Sequence, residues 1–505
     1  MSSQTPINPP DKNATGLPSM RIGFIHPDLG IGGAERLVVD AATSLQDRGH
    51  SVEIFTSRHD PTRCFDETRD GTLKVHVLGN TLPRSIFNSL HIIFAILRQL
   101  HLTLLLLLSL LPIPVSLQPI PELRAFDVFF VDQLSICVPL LRYFLRTRVV
   151  FYCHFPDKLL SGEWDLTPGE EGPRKKESTG LRSLIKSCYR LPLDLLEEFT
   201  TCQADVILAN SIYTSKVCLK AFSSLKQLPR VVYPTIDTSA FTPLTPKQEN
   251  SSDAQMVLSD RPTLVSLNRF EGKKNAALAI EAFARLTKEG LVDDQTFSNL
   301  RLVLAGGYDT SVQDNVQTLN NLKALCVSYS LTYHVVSELT LKPPPVETQV
   351  LFVLNFSNIQ RTALLLSPST RAFLYTPSNE HFGIGPIEAM ACKLPVLAVN
   401  SGGPTETVVD LADASQGETG TGLLRPAEGA QWAKALAKLV LMKPAERKLL
   451  GESGSKRTKE LFDIKGMGFR LEEACRQAEE MGPVSNLAWI GAASLGVLFA
   501  AWALS

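Results

Sequence analysis

Short runs of apolar residues recur along the chain, and each is followed by a polar or glycine-rich turn. The first run covers 21–26, and after its turn Leu37, Val38, Ala41 and Leu45 are spaced as on one face of a helix. Continuous apolar runs of about four to eight residues are typical of strands that are covered on both faces of a parallel sheet. The alternation of such strands with helices predicts an α/β chain built from doubly wound parallel sheets.

Two series of these runs are separated by a change in composition. The first series continues with predicted strands at 52–56, 75–78, 127–131, 149–153 and 205–209. The second series has predicted strands at 264–267, 302–305, 332–336, 372–375 and 395–399. Between them the chain is rich in proline, glutamine, asparagine and serine, which is typical of a domain junction. We predict an N-terminal Rossmann-like domain at 21–237, a linker at 238–262 and a C-terminal Rossmann-like domain at 263–480.

Three segments lie outside this pattern. Residues 1–20 are polar and proline-rich, which predicts a disordered tail. Residues 482–505 contain no charged residue and carry a tryptophan near each end of their apolar run, which predicts a transmembrane anchor. The apolar stretch 86–120 is interrupted by Arg98 and by prolines, so we predict helices that lie in or dip into one bilayer face, and a full span is the alternative. Because no signal peptide is recognisable, both domains are expected to face the cytosol.

Charge and cysteine content exclude several classes of protein. The chain has 505 residues, of which 50 are lysine or arginine and 51 are aspartate or glutamate. This balance gives no basic character, so we expect no nucleic-acid partner. The nine cysteines are scattered and never spaced C-x-x-C, which fits neither a zinc site nor a disulfide framework. We therefore expect reduced thiols in a cytosolic compartment and no metal.

The stretch 375–390 combines a strand, a polar loop and a helix with two carboxylates. Glu380 lies in the loop, and Glu388 lies one turn inside the helix that Gly383 begins. A helix N-terminus offers free amide groups and a partial positive charge, which suit a phosphate. Because a carboxylate would repel that phosphate, we expect the two acids to hold hydroxyl groups on either side of it, as a sugar nucleotide presents them. The alternative is that both are solvated acids that merely suit the helix dipole.

Three cations lie in a loop that we expect to open on the same crevice. Arg269, Lys273 and Lys274 follow the predicted strand 264–267. Cations in such a strand-to-helix loop would neutralise a diphosphate. The alternative is a set of solvated side chains, which is easier to accept for Lys273 alone than for all three together.

The N-terminal half contains a glycine turn and a histidine at strand ends. Gly32 and Gly33 follow the first strand, but the third glycine of a dinucleotide fingerprint and its ribose-binding acid are missing from the sequence, so we discount NAD. The glycines more simply let backbone approach a ligand. His154 follows the strand 149–153, at the end where open α/β sheets bind ligands. The alternative is a loop histidine that is hydrogen-bonded to nearby backbone.

Taken together, these motifs resemble a known class of enzyme. Two α/β halves with Glu380, seven residues and Glu388 resemble the retaining GT-B glycosyltransferases, in which two Rossmann-like domains face each other across a cleft. More narrowly, over about residues 20 to 465 the chain resembles the alpha-1,3/1,6-mannosyltransferases of dolichol-linked oligosaccharide assembly, in glycosyltransferase family 4. The matching motifs lie at 26–35, 154–160, 193–198, 266–275 and 376–384. The departures are the long loop 161–180, Gly385 and the linker 238–262.

The resemblance implies substrates, surroundings and residue roles. It implies GDP-mannose as donor, Man1GlcNAc2-PP-dolichol as acceptor and the cytosolic face of the endoplasmic reticulum membrane, with membrane lipids and other mannosyltransferases of the pathway as candidate partners. It implies that Arg269 and Lys274 bind the donor phosphates, that Glu388 binds the ribose and that Glu380 binds the transferred mannose. His154 would lie near that sugar. The rest of the implied donor site is formed by Gly32, Gly33, Phe382, Gly383 and Ile384. No cofactor and no metal is expected, because cations and a helix dipole stabilise the leaving diphosphate.

Two other functions fit the same residues. One is a transferase that moves GlcNAc from UDP-GlcNAc to phosphatidylinositol, as in GPI anchor assembly. The other is a catalytically silent, membrane-tethered protein that binds a sugar nucleotide. An assay of GDP-mannose against UDP-GlcNAc separates the first from mannosyl transfer, and the presence of Glu380, Glu388, Arg269 and Lys274 speaks against the second.

Overall fold

The computed structural model divides the chain into two compact units. It describes residues 18–84, 91–110, 114–121, 123–160, 164–165, 174–175, 181–340, 342–412 and 420–485. The C-terminal unit is Ile236–Asp463, and the N-terminal unit comprises the described residues within Ile7–Thr235 and Ile464–Ser505. The predicted disordered tail, the predicted C-terminal anchor and the loop 161–180 lie almost entirely outside the described residues.

Strands and helices alternate along both units. The strands are β1 (Arg21–His26), β2 (Ser51–Thr56), β3 (Lys74–Val77), β4 (Val128–Asp132), β5 (Arg148–Cys153), β6 (Trp164–Asp165), β7 (Arg174–Lys175), β8 (Val206–Ala209), β9 (Arg230–Val231), β10 (Thr263–Leu267), β11 (Arg301–Gly306), β12 (Tyr333–Val336), β13 (Val350–Leu354), β14 (Thr370–Tyr375), β15 (Val396–Val399) and β16 (Gly422–Arg425). The helices are α1 (Gly33–Asp47), α2 (His91–Leu110), α3 (Val138–Phe144), α4 (Asp157–Leu160), α5 (Leu181–Thr201), α6 (Ile212–Ala221), α7 (Pro246–Glu249), α8 (Ser252–Gln255), α9 (Ala277–Lys288), α10 (Asp294–Asn299), α11 (Gln313–Ser328), α12 (Asn358–Leu366), α13 (Ile384–Ala391), α14 (Pro404–Thr407), α15 (Gly429–Leu441), α16 (Pro444–Leu461) and α17 (Ile464–Glu480). The predicted α/β class is confirmed.

Seven parallel strands form the sheet of the N-terminal unit, in the order β3-β2-β1-β4-β5-β8-β9. The strand order therefore changes direction between β1 and β4. Open α/β sheets bind ligands beyond the carboxyl ends of their strands, where this change occurs. His26 and Asp132 are the last residues of β1 and β4, and His154 follows directly after β5. All three therefore lie at the edge where a ligand is expected.

The helix α1 buries the face that the sequence predicts for it. Its positions Leu37, Val38, Ala41 and Leu45 are buried, and they belong to one core with Leu471 and Ala474 of α17. The two helices pack on each other. α17 therefore belongs to the N-terminal unit, and the predicted extension of the C-terminal domain to 480 is wrong. The apolar face of a terminal helix does not reveal which of two cores receives it.

The sheet of the C-terminal unit is also parallel, with seven strands in the order β12-β13-β11-β10-β14-β15-β16. Its order changes direction between β10 and β14, so the loops after these two strands lie at the ligand-binding edge. The strand β13 is not among the predicted strands, although it is buried between β12 and β11. A short apolar run without periodicity cannot be distinguished from part of a buried helix.

The predicted linker 238–262 is partly folded against the C-terminal unit. The side chains of Thr245 and Ser251 cap the short helices α7 and α8. Ala254 and Val257 are buried, and α8 contacts α12. Polar residues that suggest an exposed loop in the sequence act here as helix caps, which favour the same residue types.

The helix α2 is the described part of the predicted apolar insertion 86–120. By length and composition it is, among the described residues, the helix that could cross a membrane, but a core helix meets the same criteria. Leu102 and Leu106 are fully buried in the N-terminal unit, and the side-chain amide of Gln99 donates to the carbonyl oxygen of Leu134 at 2.8 Å. One face of α2 is therefore part of the fold. Leu104 on the other face is 53% exposed.

Candidate active site

The loop after β14 enters α13 through a glycine that no other residue could easily replace. Gly383 has φ +88°, and a Cβ built on it would come within 2.8 Å of the Tyr375 hydroxyl oxygen. Both the backbone conformation and the space therefore require glycine. Gly383 is the N-cap of α13, and no side chain in the described part of the chain caps it. The first amide groups of the helix that Ile384 begins are therefore available to an anion.

A second glycine turn holds the same loop from behind. The amide of Gly403 donates to the carbonyl oxygen of Glu380 at 2.8 Å, and the amide of Asn379 donates to the Ser401 hydroxyl at 2.9 Å. A Cβ on Gly402 would lie 2.3 Å from the Glu380 carbonyl oxygen, and one on Gly403 would lie 2.2 Å from that of Phe382. Only glycine allows this approach, so the turn 401–403 fixes the backbone that carries Glu380.

Lys274 and Glu380 meet although 106 residues separate them. The Nζ atom of Lys274 lies 2.5 Å from the Glu380 Oε2 atom, and the two side chains are 14% and 21% exposed. The hydroxyl of Thr376 also donates to the carbonyl oxygen of Lys274 at 2.7 Å, which ties the loops together. Burial acts to raise the pKa of Glu380, but the Lys274 ammonium outweighs it and the pKa is lowered. Glu380 is therefore an ionised hydrogen-bond acceptor.

Arg269 lies in the same loop but contacts neither predicted carboxylate. Its guanidinium forms an ion pair with Glu271 at 3.0 Å, and Lys273 pairs with the same carboxylate at 3.2 Å. The Arg269 and Lys273 side chains are 66% and 70% exposed. The structure therefore brings only Lys274, of the three predicted cations, to Glu380. Arg269 remains free to turn towards a ligand, and its assigned role stays a prediction.

Glu388 has a partner, Arg361, that the sequence does not predict. Arg361, on α12, donates from Nη1 to the Glu388 Oε1 atom at 2.9 Å. Burial raises the pKa of Glu388, and the Arg361 charge opposes that rise. The pKa values of the two carboxylates of the motif are thus shifted in opposite directions. That of Glu380 is lowered and that of Glu388 is raised. Arg361 belongs to no glycine turn and no charged loop, so the sequence offers no signal for it.

If Glu388 binds the ribose, as the resemblance implies, replacing Arg361 with alanine should weaken binding of the nucleotide. Loss of the cation leaves burial unopposed, so the pKa of Glu388 should rise further and its ionised fraction at neutral pH should fall. We expect KM for the sugar nucleotide to rise about tenfold with a smaller change in kcat. Arg285→Ala is the matched control, because Arg285 pairs with Glu281 and Glu289 on the surface of α9. Equal KM values for the two variants would remove Arg361 from the site.

The N-terminal unit has its own cluster, formed at three neighbouring strand ends. The carboxylate of Asp132 is fully buried and contacts His154 Nε2 at 2.7 Å and His26 Nδ1 at 2.8 Å. Burial alone would raise the pKa of Asp132, but the two histidines lower it to about 2. Burial alone would lower the pKa of His154, but Asp132 and, more weakly, Glu35 raise it. His154, which is 23% exposed, is therefore a carboxylate-oriented imidazole and not a loop histidine bound only to backbone.

The glycine turn at the start of α1 lies near this cluster. Gly32 is the N-cap of α1 and Gly33 is its first residue. A Cβ on Gly32 would lie 2.3 Å from a carboxylate oxygen of Glu35, so the Glu35 side chain folds back over the turn. Since the same carboxylate acts on the pKa of His154, the turn and the histidine share one edge of the sheet. The turn and His154 are each predicted to follow a strand, and the structure brings them together.

Asp132 is the functional residue that sequence reasoning could have found. It directly follows the apolar run 127–131, so it ends a strand in the same way as the residue before His154. A carboxylate at the carboxyl end of a buried parallel strand is a candidate ligand-side residue by the same rule that selected His154. The pairing itself depends on β4 lying beside β5, which the sequence does not show.

Comparison with known proteins assigns this arrangement to a class. The family described as Glycosyltransferase Family 4 matches residues 31–240, and the family described as Glycosyl transferases group 1 matches residues 345–457. A sucrose-phosphate synthase from Thermosynechococcus elongatus has a TM-score of 0.63 at 17% identity, over 91% of this chain and 98% of that chain. Starch synthase IV from Arabidopsis thaliana, in its catalytic domain, has a TM-score of 0.63 at 14% identity, over 92% and 100%. The fold and the site define a glycosyltransferase of the GT-B class.

Curated relatives narrow this class to one family. The alpha-1,3/1,6-mannosyltransferase ALG2 of Rhizomucor pusillus is 42% identical over 486 residues, which are 95% of this chain and 97% of that protein. ALG2 of Saccharomyces cerevisiae is 39% identical over 423 residues, which are 82% and 76% of the two chains. This chain therefore belongs to the alpha-1,3/1,6-mannosyltransferase family. The predicted family, the GT-B fold and the glycosyltransferase class are confirmed.

Proposed function

We propose that the protein transfers mannose from GDP-mannose, in alpha-1,3 and then alpha-1,6 linkage or the reverse, to Man1GlcNAc2-PP-dolichol for protein N-glycosylation. The names of its relatives support the transferred sugar and the two linkages. The acceptor implies work at the endoplasmic reticulum membrane, with both units in the cytosol. The observation that carries the proposal is the ion pair between Lys274 and Glu380 beside the free end of α13.

That ion pair would be exchanged when the donor binds. Lys274 would turn from Glu380 to the diphosphate, and the first amides of α13, from Gly383 onward, would complete an anion site. Glu380, ionised and released, would accept hydrogen bonds from hydroxyls of the mannose. Glu388 would hold the ribose hydroxyls, and Arg269 would add a second cation from its exposed position. As glycosyl–oxygen cleavage proceeds, negative charge grows on the leaving diphosphate, and these groups stabilise it most strongly then.

The N-terminal cluster would act on the sugar and the acceptor. A protonated His154 held by Asp132 can donate a hydrogen bond to a mannose hydroxyl, and the imidazole keeps its orientation because its other side is fixed. Backbone at Gly32 and Gly33 would lie close to the donor. We infer that this reaction needs no divalent metal, so addition of a chelator should leave the rate unchanged.

The proposal is tested by a time course with GDP-mannose and a short-chain lipid-pyrophosphate Man1GlcNAc2 acceptor. We expect the product with one added mannose to appear first and then to be converted to the product with two. UDP-GlcNAc with phosphatidylinositol is the control reaction and should give no product. Transfer of GlcNAc, or binding of GDP-mannose without any transfer, would contradict the proposal and would support one of the two alternatives.

A further inference from the structure

The helix α5 exposes apolar side chains where a helix facing water carries polar ones. In its described side chains, 189–201, the exposed positions are Leu191, Pro192, Leu195 and Phe199. Leu191, Leu195 and Phe199 are 60%, 59% and 58% exposed, and their spacing of four residues places them on one face of the helix. We name these three residues the α5 stripe. A helix on a surface that faces water exposes polar side chains and turns its apolar side chains towards the core.

The polar side chains of the same helix point into the fold and are held there. Both oxygens of the Glu197 carboxylate accept backbone amides at the start of α4, from Asp157 at 2.6 Å and from Lys158 at 2.9 Å. The hydroxyl of Thr200 hydrogen-bonds the hydroxyl of Ser135 at 2.8 Å. These bonds fix the rotation of α5, so the outward direction of the stripe follows from specific contacts.

The surroundings of the stripe favour a lipid surface over a protein partner. A small cavity of about 30 Å³ lies between α2 and α5, with Ile92 and Ile96 of α2 on one side. The stripe therefore lies on a helix next to α2, whose length and composition would allow it to cross a membrane. The neighbouring α4 ends in Leu160, which is 58% exposed.

The sequence that leads into the stripe is basic. One acid, Glu177, lies among the five cations Arg174, Lys175, Lys176, Arg182 and Lys186. An apolar helix face preceded by cations is typical of a segment that lies in the interface of a bilayer with anionic head groups. A specific protein interface also carries hydrogen bonds, and no exposed position among the described side chains of α5 has a polar side chain to form them.

We propose that the α5 stripe lies on the surface of an anionic lipid bilayer and inserts Leu191, Leu195 and Phe199 among the acyl chains. This contact would hold the N-terminal unit against the membrane that contains a lipid-linked acceptor, and only this consequence rests on the proposed function. The stripe itself takes part in no catalytic contact in the described structure.

Quenching by brominated lipid tests the contact directly in the full-length protein. Leu195→Trp and Phe199→Trp are reconstituted in phosphatidylcholine vesicles with phosphatidylserine, with plain or brominated acyl chains, and the emission of the parent, which has four tryptophans, is subtracted. We expect brominated chains to lower the added emission about twofold at both positions. Leu449→Trp, at a 61% exposed leucine of α16 in the C-terminal unit, is the control and should keep its emission. An unchanged emission at both positions, whether water or protein covers them, would overturn the proposal.

A second measurement keeps the proposal separate from the proposed function. The double variant Leu195→Gln with Phe199→Gln should transfer mannose about fivefold more slowly to a long-chain acceptor in vesicles and at the parent rate to a short-chain acceptor in detergent. Equal rates with both acceptors would overturn the membrane contact. If the parent transfers no mannose at all, the proposed function fails, and the quenching result still decides the proposal.

Discussion

Replacing Lys274 with alanine should lower kcat/KM for mannosyl transfer by about a hundredfold, which corresponds to about 3 kcal/mol of transition-state binding. The Lys274 ammonium is the one cation among the described residues that contacts Glu380, and it lies beside the uncapped end of α13. Its loss would remove charge stabilisation where the diphosphate leaves. It would also leave Glu380 half-buried without its counter-charge, so the pKa of Glu380 should rise. The measurement is a steady-state rate at varied GDP-mannose.

The neighbouring lysine provides the control. Lys273→Ala changes the same residue type one position earlier, but Lys273 is 70% exposed and pairs with Glu271. A surface pair of this kind contributes little, so we expect its kcat/KM to stay within about twofold of the parent. If both variants lost the same activity, the loss would come from the loop as a whole. Full activity in Lys274→Ala would mean that residues other than Lys274 bind the diphosphate.

The meeting of Lys274 and Glu380 shows what a sequence can and cannot predict. Both residues lie in loops that follow predicted strands, and the carboxyl ends of parallel strands share one edge. The contact also requires β10 to lie beside β14, with three other strands between them in the chain. Strand order is set by how the whole sheet packs, and no local pattern encodes it. The sequence therefore predicts both residues and the edge of the sheet on which they lie, but it does not predict that they form an ion pair.

Residues outside the loops that follow strands cannot be predicted in the same way. Arg361 lies inside α12, and it matters only because that helix packs near Glu388. The apolar residues of β13 show no periodicity by which a buried strand could be distinguished from a buried helix. Asp132, in contrast, ended a predicted strand and could have been selected with His154. Glycines were the most informative single residues, because Gly383 and Gly402 occupy positions whose positive φ or close contact excludes a side chain.

The buried carboxylate of Asp132 should determine how the local stability at the ends of β4 and β5 depends on pH. In the parent, the contribution of Asp132 is present above a pH of about 4 and is lost as the pH falls towards about 2. The contribution of His154 is complete below a pH of about 6.5 and is lost as the pH rises through its raised folded pKa. Local stability should therefore fall as the pH rises from about 6.5 through the raised pKa of His154.

Asp132→Asn should reverse this slope and cost about 3 kcal/mol near neutral pH. Without the carboxylate, burial is the largest influence on His154 and lowers its pKa, so the folded state would bind fewer protons than the unfolded state and stability would rise with pH. Amide hydrogen exchange of β4 and β5 in the full-length protein measures this local free energy at each pH. Asp40→Asn is the control, since Asp40 is also buried but pairs with Arg36, which does not titrate in this range. The Asp40→Asn variant should lower the protection of these amides from exchange without reversing the slope.

The same downward slope in Asp132→Asn as in the parent would show that His154 does not depend on Asp132 for its proton. The cluster could then not hold a protonated imidazole towards the sugar.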